Sequence, residues 1–199
     1  MEDNFSLETI EEIDPEFSSV VPEQCGLFDD WLTVTDEGSV KGWDDLPDIN
    51  LYMDQVIKYM QNELSRSKIS DSEKNITSSM INNYTKEGVL PRPERKRYSK
   101  KHLASLMIVC LLKQVLPIQS VKQLFGYINV NNDDFERIYT AFCNAQERAY
   151  KETAMYASEK LESNPSKADL SVLAIELASK ANALRVASER LIEALDEQD

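Results

Sequence analysis

The sequence predicts an all-α protein with one small β-hairpin wing, closed by a C-terminal antiparallel helical hairpin. Three observations lead there. Five glycines and seven prolines in 199 residues are too few to punctuate an all-β chain with many turns. From Met53 onward, apolar residues recur at spacings of three and four, the period of helices with one buried face. One stretch breaks the pattern: Val89 to Tyr98 carries two prolines, which forbid helix, and has the apolar ends of a tight two-stranded hairpin.

Residues 1–42 mix acids with isolated apolar side chains and lack a sustained period, which predicts a disordered acidic arm with a short strand at Trp31 to Thr35. Asp48 or Asn50 is placed to cap a first helix through Met53, Val56, Ile57, Met60 and Leu64. A polar loop follows at 65–75. Asn75 or Thr77 then caps a short helix with Met80, Ile81 and Tyr84 turned inward, and Gly88 stands where a left-handed helix stop is wanted. After the hairpin, Ser99 caps a helix whose Leu103, Leu106, Met107, Cys110, Leu111 and Val115 form one stripe. Pro117 ends it, and Ile118, Val121, Leu124 and Phe125 make a short helix. Residues 133–162 form a helix with Phe135, Ile138, Tyr139, Phe142, Ala149, Tyr150 and Thr153 on one face. A break at Asn164-Pro165-Ser166 leads to a last helix in which Leu170, Leu177, Leu184 and Leu191 fall every seven residues. That spacing suits either an intramolecular pair or a homodimer seam, and the charged flanks favour the dimer.

The resulting organisation is an acidic arm (1–42), a central domain (43–128) and a helical hairpin serving dimerisation or an effector (129–199). Hydrophobic residues at 42% and charged residues at 29% make most of the chain globular. No run of apolar residues suits a membrane span, and the acidic first twenty residues are the reverse of a secretion signal, so a cytoplasmic protein is expected. Cys25, Cys110 and Cys143 are far apart and odd in number, which reads as plain thiols with no metal or disulfide framework.

The net charge of -13 is segregated. Residues 1–65 balance to -15, residues 66–122 to +8 and residues 123–199 to -6. A basic island between acidic flanks is the footprint of a segment that faces phosphates. Helix, short helix, basic hairpin, helix is the order of a winged helix-turn-helix, whose second helix enters the DNA major groove while the wing lies along the backbone. With Met80, Ile81 and Tyr84 inward, Ser78, Ser79, Asn82, Asn83 and Lys86 are the recognition-helix candidates: amides and hydroxyls read base edges, and lysine reaches phosphate or guanine. Arg92, Arg95, Lys96, Arg97, Lys100 and Lys101 fill the wing and the next helix start against one acid, Glu94. Such a density calls for an anion opposite it. If a dimer neutralised about eight phosphates, log K would fall with log salt at a slope near about -7.

These residues also carry a resemblance. Tyr84-Thr85-Lys86-Glu87-Gly88-Val89-Leu90-Pro91, then Tyr98-Ser99 to His102-Leu103 and Leu106, then Ile118 to Phe125, resemble the core of MerR-type regulators. The longer stretch from Trp43-Asp44-Asp45-Leu46-Pro47 to Phe125 is similar to a Gram-positive bacterial family of domains of unknown function with such a core. The resemblance implies a sequence-specific transcriptional regulator that binds double-stranded DNA, with the C-terminal hairpin in place of the long dimerisation helix. Asn82 and Asn83 stand where that family carries an arginine and an aromatic residue, so that particular backbone contact does not transfer.

An enzyme is not expected. The single histidine, His102, reads as a surface side chain or a phosphate contact in the first turn of a helix, and no phosphate loop or metal motif appears. No cofactor is implied. A small-molecule effector would find the aromatic side chains Tyr139, Phe142, Tyr150 and Tyr156, which suit a plain core equally well. The rival class is a protein-interaction adaptor that uses the acidic arm and the helical C-terminal region.

Overall fold

The computed structural model describes residues 40–66, 76–128, 134–161 and 165–196. The expected strand at 31–35, residues 67–75 of the loop expected at 65–75, and Cys25 lie outside the described residues, as does most of the acidic arm; Ser65 and Arg66, placed in that loop, are helical. The described chain is mostly helical: a 3-10 turn at Trp43–Asp45 precedes α1 (Met53–Arg66), α2 (Ser78–Lys86), α3 (Lys100–Leu112), α4 (Ile118–Tyr127), α5 (Phe135–Lys160) and α6 (Lys167–Asp196). None of these helices is long and apolar enough to cross a membrane.

Helix α3 organises the rest. Every residue from His102 to Leu111 is buried, so this stretch of the helix has no solvent face. The single stripe expected from the sequence is corrected on this point: Ala104, Ser105, Ile108 and Val109 are as buried as Leu103 and Leu106, whereas Val115 lies past the helix end and is half exposed. A helix apolar all round has to be covered on all sides. Helices α1 and α5 pack against it, α2 leans on α1, and the Trp43 turn lies on α5. Each fully buried leucine there contributes about 2 kcal/mol relative to exposure.

Along α1, Val56, Met60 and Leu64 are spaced by four and fully buried. The helix starts later than the expected caps at Asp48 or Asn50. The Tyr52 N–H donates to Gln55 Oε1 at 2.9 Å, a back-bond from the first turn that neither polar residue supplies. In α2, Thr77 is the cap: its Oγ1 accepts from the Met80 N–H at 3.3 Å.

The wing departs from expectation. Among the described residues there is no two-stranded hairpin. Pro91 and Pro93 have no N–H to donate, so that arm cannot build a ladder. A single antiparallel bridge, Glu94 with Arg97, closes a tight turn around Arg95 and Lys96. The outgoing arm pairs elsewhere: Leu51 and Tyr98 exchange backbone hydrogen bonds of 2.9 and 2.8 Å. The wing is thus stitched to the segment before α1.

Helix α5 enters the main core through Phe135 and Tyr139, both fully buried in one cluster with residues of α1 to α4, so the core crosses the 128/129 division. The Tyr139 hydroxyl donates to the Lys41 carbonyl at 2.8 Å. Farther along, Ala154 and Ala157 are buried, while Ala149 is exposed. Helix α6 packs against α4 and, among the described side chains, buries Leu173 and Ile192.

Gly88 ends α2 with φ of +78°. The Val89 N–H reaches the Tyr84 carbonyl at 2.9 Å and the Gly88 N–H reaches that of Thr85 at 3.3 Å, the paired bonds of a Schellman stop. An added Cβ would meet nothing within 4 Å, so its cost is purely backbone. Gly88→Ala is therefore expected to lower stability by about 1 kcal/mol in urea unfolding, with the slope of the transition unchanged.

Candidate nucleic-acid interface

The site begins with the burial pattern of α2. Ile81 and Tyr84 are buried and Met80 is half-buried, so the helix can present only its other side. Ser78, Ser79, Asn82, Asn83 and Lys86 are all exposed. Burial raises the Tyr84 hydroxyl to about 12, with the neighbouring Cys110 adding to the shift, so the ring stays neutral under the helix. Lys122 of α4 reaches Glu87, just past the end of α2, at 3.6 Å.

The Schellman stop carries the chain directly into the wing, with Val89 and Leu90 buried as its root. Beyond that root, Arg92, Arg95, Lys96 and Arg97 are exposed, and Lys100 and Lys101 are partly so. Arg95 and Lys96 both adopt the left-handed backbone, with φ of +47° and +63°. These are the signs that a type I′ turn needs at its two central positions, where Asn-Gly is preferred. Arg97 is positioned: its guanidinium lies 5.1 Å from the Tyr52 ring centroid and donates to the Tyr52 hydroxyl at 3.0 Å. Lys100 Nζ sits 5.0 Å from the Trp43 ring centroid, and Trp43 in turn meets Phe135 and Tyr139. Aromatic rings thus hold two of the six basic side chains in place.

His102 is not the surface or phosphate-contacting residue expected. It is buried, and it caps α3 from the third position. The Ser99 N–H donates to His102 Nδ1 at 3.1 Å, and Ser99 Oγ lies 2.8 Å from the same nitrogen. An amide can only donate, so Nδ1 accepts and the proton sits on Nε2, which is buried with no hydrogen-bond partner. The Tyr98 ring meets the imidazole edge-on at 5.6 Å. Burial holds the imidazole pKa below its ordinary value, while the backbone of Arg92 and Pro91 and the Glu94 carboxylate oppose the shift. The cap and the wing root therefore share this ring. Its role was illegible in the sequence because histidine is not the usual partner of a serine cap.

An open cleft of about 690 Å³ also went unforeseen. Ser79 and Asn83 of α2 line it, as do Lys113 and Leu116 from the turn between α3 and α4 and Ile118 at the start of α4. The aromatic residues of α5 divide between roles: Tyr139 is core, whereas the Tyr156 hydroxyl donates to Glu176 of α6 at 2.7 Å and its ring takes Lys180 at 3.1 Å. Cys110 is buried, its thiol pushed up to about 12, and Cys143 donates to the Lys41 carbonyl at 3.6 Å. Of the candidate seam, Leu170 and Leu177 are half-buried, while Leu184 and Leu191 are 69% and 71% exposed.

These features describe a helical domain with an exposed polar helix beside a basic turn. The chain belongs to the family described as a domain of unknown function (DUF1836), whose model matches residues 41–152. The match begins at Lys41, whose carbonyl accepts from Tyr139 and Cys143, and stops within α5, leaving α6 outside. The curated proteins and the solved structures give no match.

Neutral, buried His102 takes up a proton less readily folded than unfolded. Its stabilising contribution is therefore present above about pH 6.5 and is lost as pH falls from there through the lower folded-state pKa. The urea midpoint is expected to drop between about pH 7.5 and about pH 5.5, and His102→Gln, which caps without titrating, is expected to flatten that part of the profile. An unchanged slope in the variant would assign the pH dependence to other groups.

Proposed function

We propose that the chain is a sequence-specific DNA-binding regulator built on a winged helix-turn-helix of MerR-like plan, with α2 as recognition helix and the 89–98 turn as wing. One observation carries the reading. The tip of the wing holds two basic residues in a backbone conformation that costs each about 1 kcal/mol or more, at positions where asparagine and glycine would sit without strain. Strain retained at exposed, charged side chains has no stabilising purpose, and a phosphate backbone opposite them supplies one. The exposed Ser78, Ser79, Asn82, Asn83 and Lys86 then face base edges, and Arg97 and Lys100 approach phosphates already oriented by Tyr52 and Trp43. The short turn replaces a stranded wing in this plan.

Replacing Arg95 with Asn and Lys96 with Gly separates folding from binding. The double variant is expected to be more stable by about 1 kcal/mol in urea unfolding, because the strain is relieved. It is expected to bind duplex DNA more weakly, with a salt slope shallower by about 2 per chain. Absent or salt-insensitive binding in both proteins would favour the adaptor reading.

The proposal includes a homodimer through α6, in keeping with the two-fold sites such proteins read. Leu184 and Leu191 are exposed one heptad apart on a helix that is tied to its own chain elsewhere, by buried Leu173 and Ile192 and by the contacts of Glu176 and Lys180 with Tyr156. Leu184→Asp with Leu191→Asp is expected to halve the mass in sedimentation equilibrium; a wild-type chain that is already monomeric would remove this part of the proposal.

A further inference from the structure

The function proposed for the basic wing leaves residues 1–39 without a role. They carry twelve carboxylates and no lysine or arginine. Their exit point is set by the fold. Val40 packs against the core, Lys41 is bonded through its carbonyl to α5 and through its ammonium to buried Glu63 at 3.3 Å, and Trp43 lies under Lys100. The next contacts are again with the wing: Leu51 pairs with Tyr98 and Tyr52 stacks on Arg97. The segment that launches the acidic residues therefore runs alongside the basic ones.

We infer that residues 1–39 occupy the wing face of their own chain, competing there with DNA. The surface suits such an occupant in two respects. Among the described residues no carboxylate forms an ion pair with Arg92, Arg95 or Lys96. Tyr52, in contact with Arg97, leaves 49% of its surface exposed, and Ile49, three residues before it, 68%, which matches a segment that intersperses Phe5, Leu7, Ile10, Ile13 and Phe17 with its acids. Length is sufficient, since 39 residues can reach about 35 Å while far short of full extension. Tethering makes the contact intramolecular, so weak ion pairs suffice to hold it at low salt. Because exposed charges are screened, the contact loosens as salt rises.

This inference rests on the DNA reading for its consequence but not for the contact itself, and the two are tested separately on the full chain. The first measurement places a nitroxide on Cys25, the thiol within this segment, in a Cys143→Ser background; Cys110 is buried and its thiol is pushed up to about 12. Amide signals of Arg92 to Lys101 are expected to broaden at low salt more than those of α5 and to recover at high salt. The second titrates random-sequence duplex DNA into the wild type and into a variant with Glu11→Gln, Glu12→Gln, Asp14→Asn and Glu16→Gln. The variant is expected to bind about tenfold more tightly at low salt, with the gap closing as salt increases. Wing amides no broader than those of α5 would overturn the contact. Broadening with equal DNA affinities would overturn the competition. Broadening with no DNA binding by either protein would sustain the contact and remove the DNA reading.

Discussion

The constraint on which the rest of this structure depends is the all-round burial of α3. A helix with no polar side has to be enclosed, and enclosing it fixes where α1 and α5 lie and what their inner faces must be. Val56, Met60 and Leu64 supply one wall, and Phe135 and Tyr139 supply another. The start of α3 is also the point at which this core meets the basic turn. Ser99 and His102 close the first turn of the helix, and the same imidazole lies against Tyr98 and the wing root. Core and wing are therefore mechanically coupled through one buried ring.

That coupling explains why a turn with almost no sheet holds its shape. A lone Glu94–Arg97 bridge is far short of the three strands that independent stability requires. The turn borrows order from elsewhere: Tyr98 is pinned to Leu51 by two backbone bonds, Arg97 to Tyr52, and Val89 and Leu90 to the core. The strained backbone at Arg95 and Lys96 is tolerated because both ends of the turn are fixed. Rigid ends with a charged tip give an element that meets an anion at little further entropic cost.

Charge has a different logic from packing in this chain. Along the sequence, one path leads from the acids of the first forty residues to the bases of 86–101, and Trp43 and Leu51 hold the described start of it beside the wing. Net charge over the whole molecule describes neither end of that path. What matters at an interaction surface is local balance within about a Debye length of some 8 to 10 Å.

The sequence by itself determined the helices, the capped and glycine-stopped α2 with its exposed polar residues, and the membership of a family of domains of unknown function. Each follows from local rules: spacing of three and four, Thr77 at a cap, Gly88 where φ must be positive. Only the tertiary structure decided that α3 is enclosed, that His102 is a buried cap, that Tyr98 pairs with Leu51 and not within its own hairpin, and that Val115 faces out. The reason is physical. Periodicity reports which residues of one segment share a face, whereas burial on every side, a hydrogen bond across 47 residues or a cleft between a helix and a turn depends on what other segments bring to the same place.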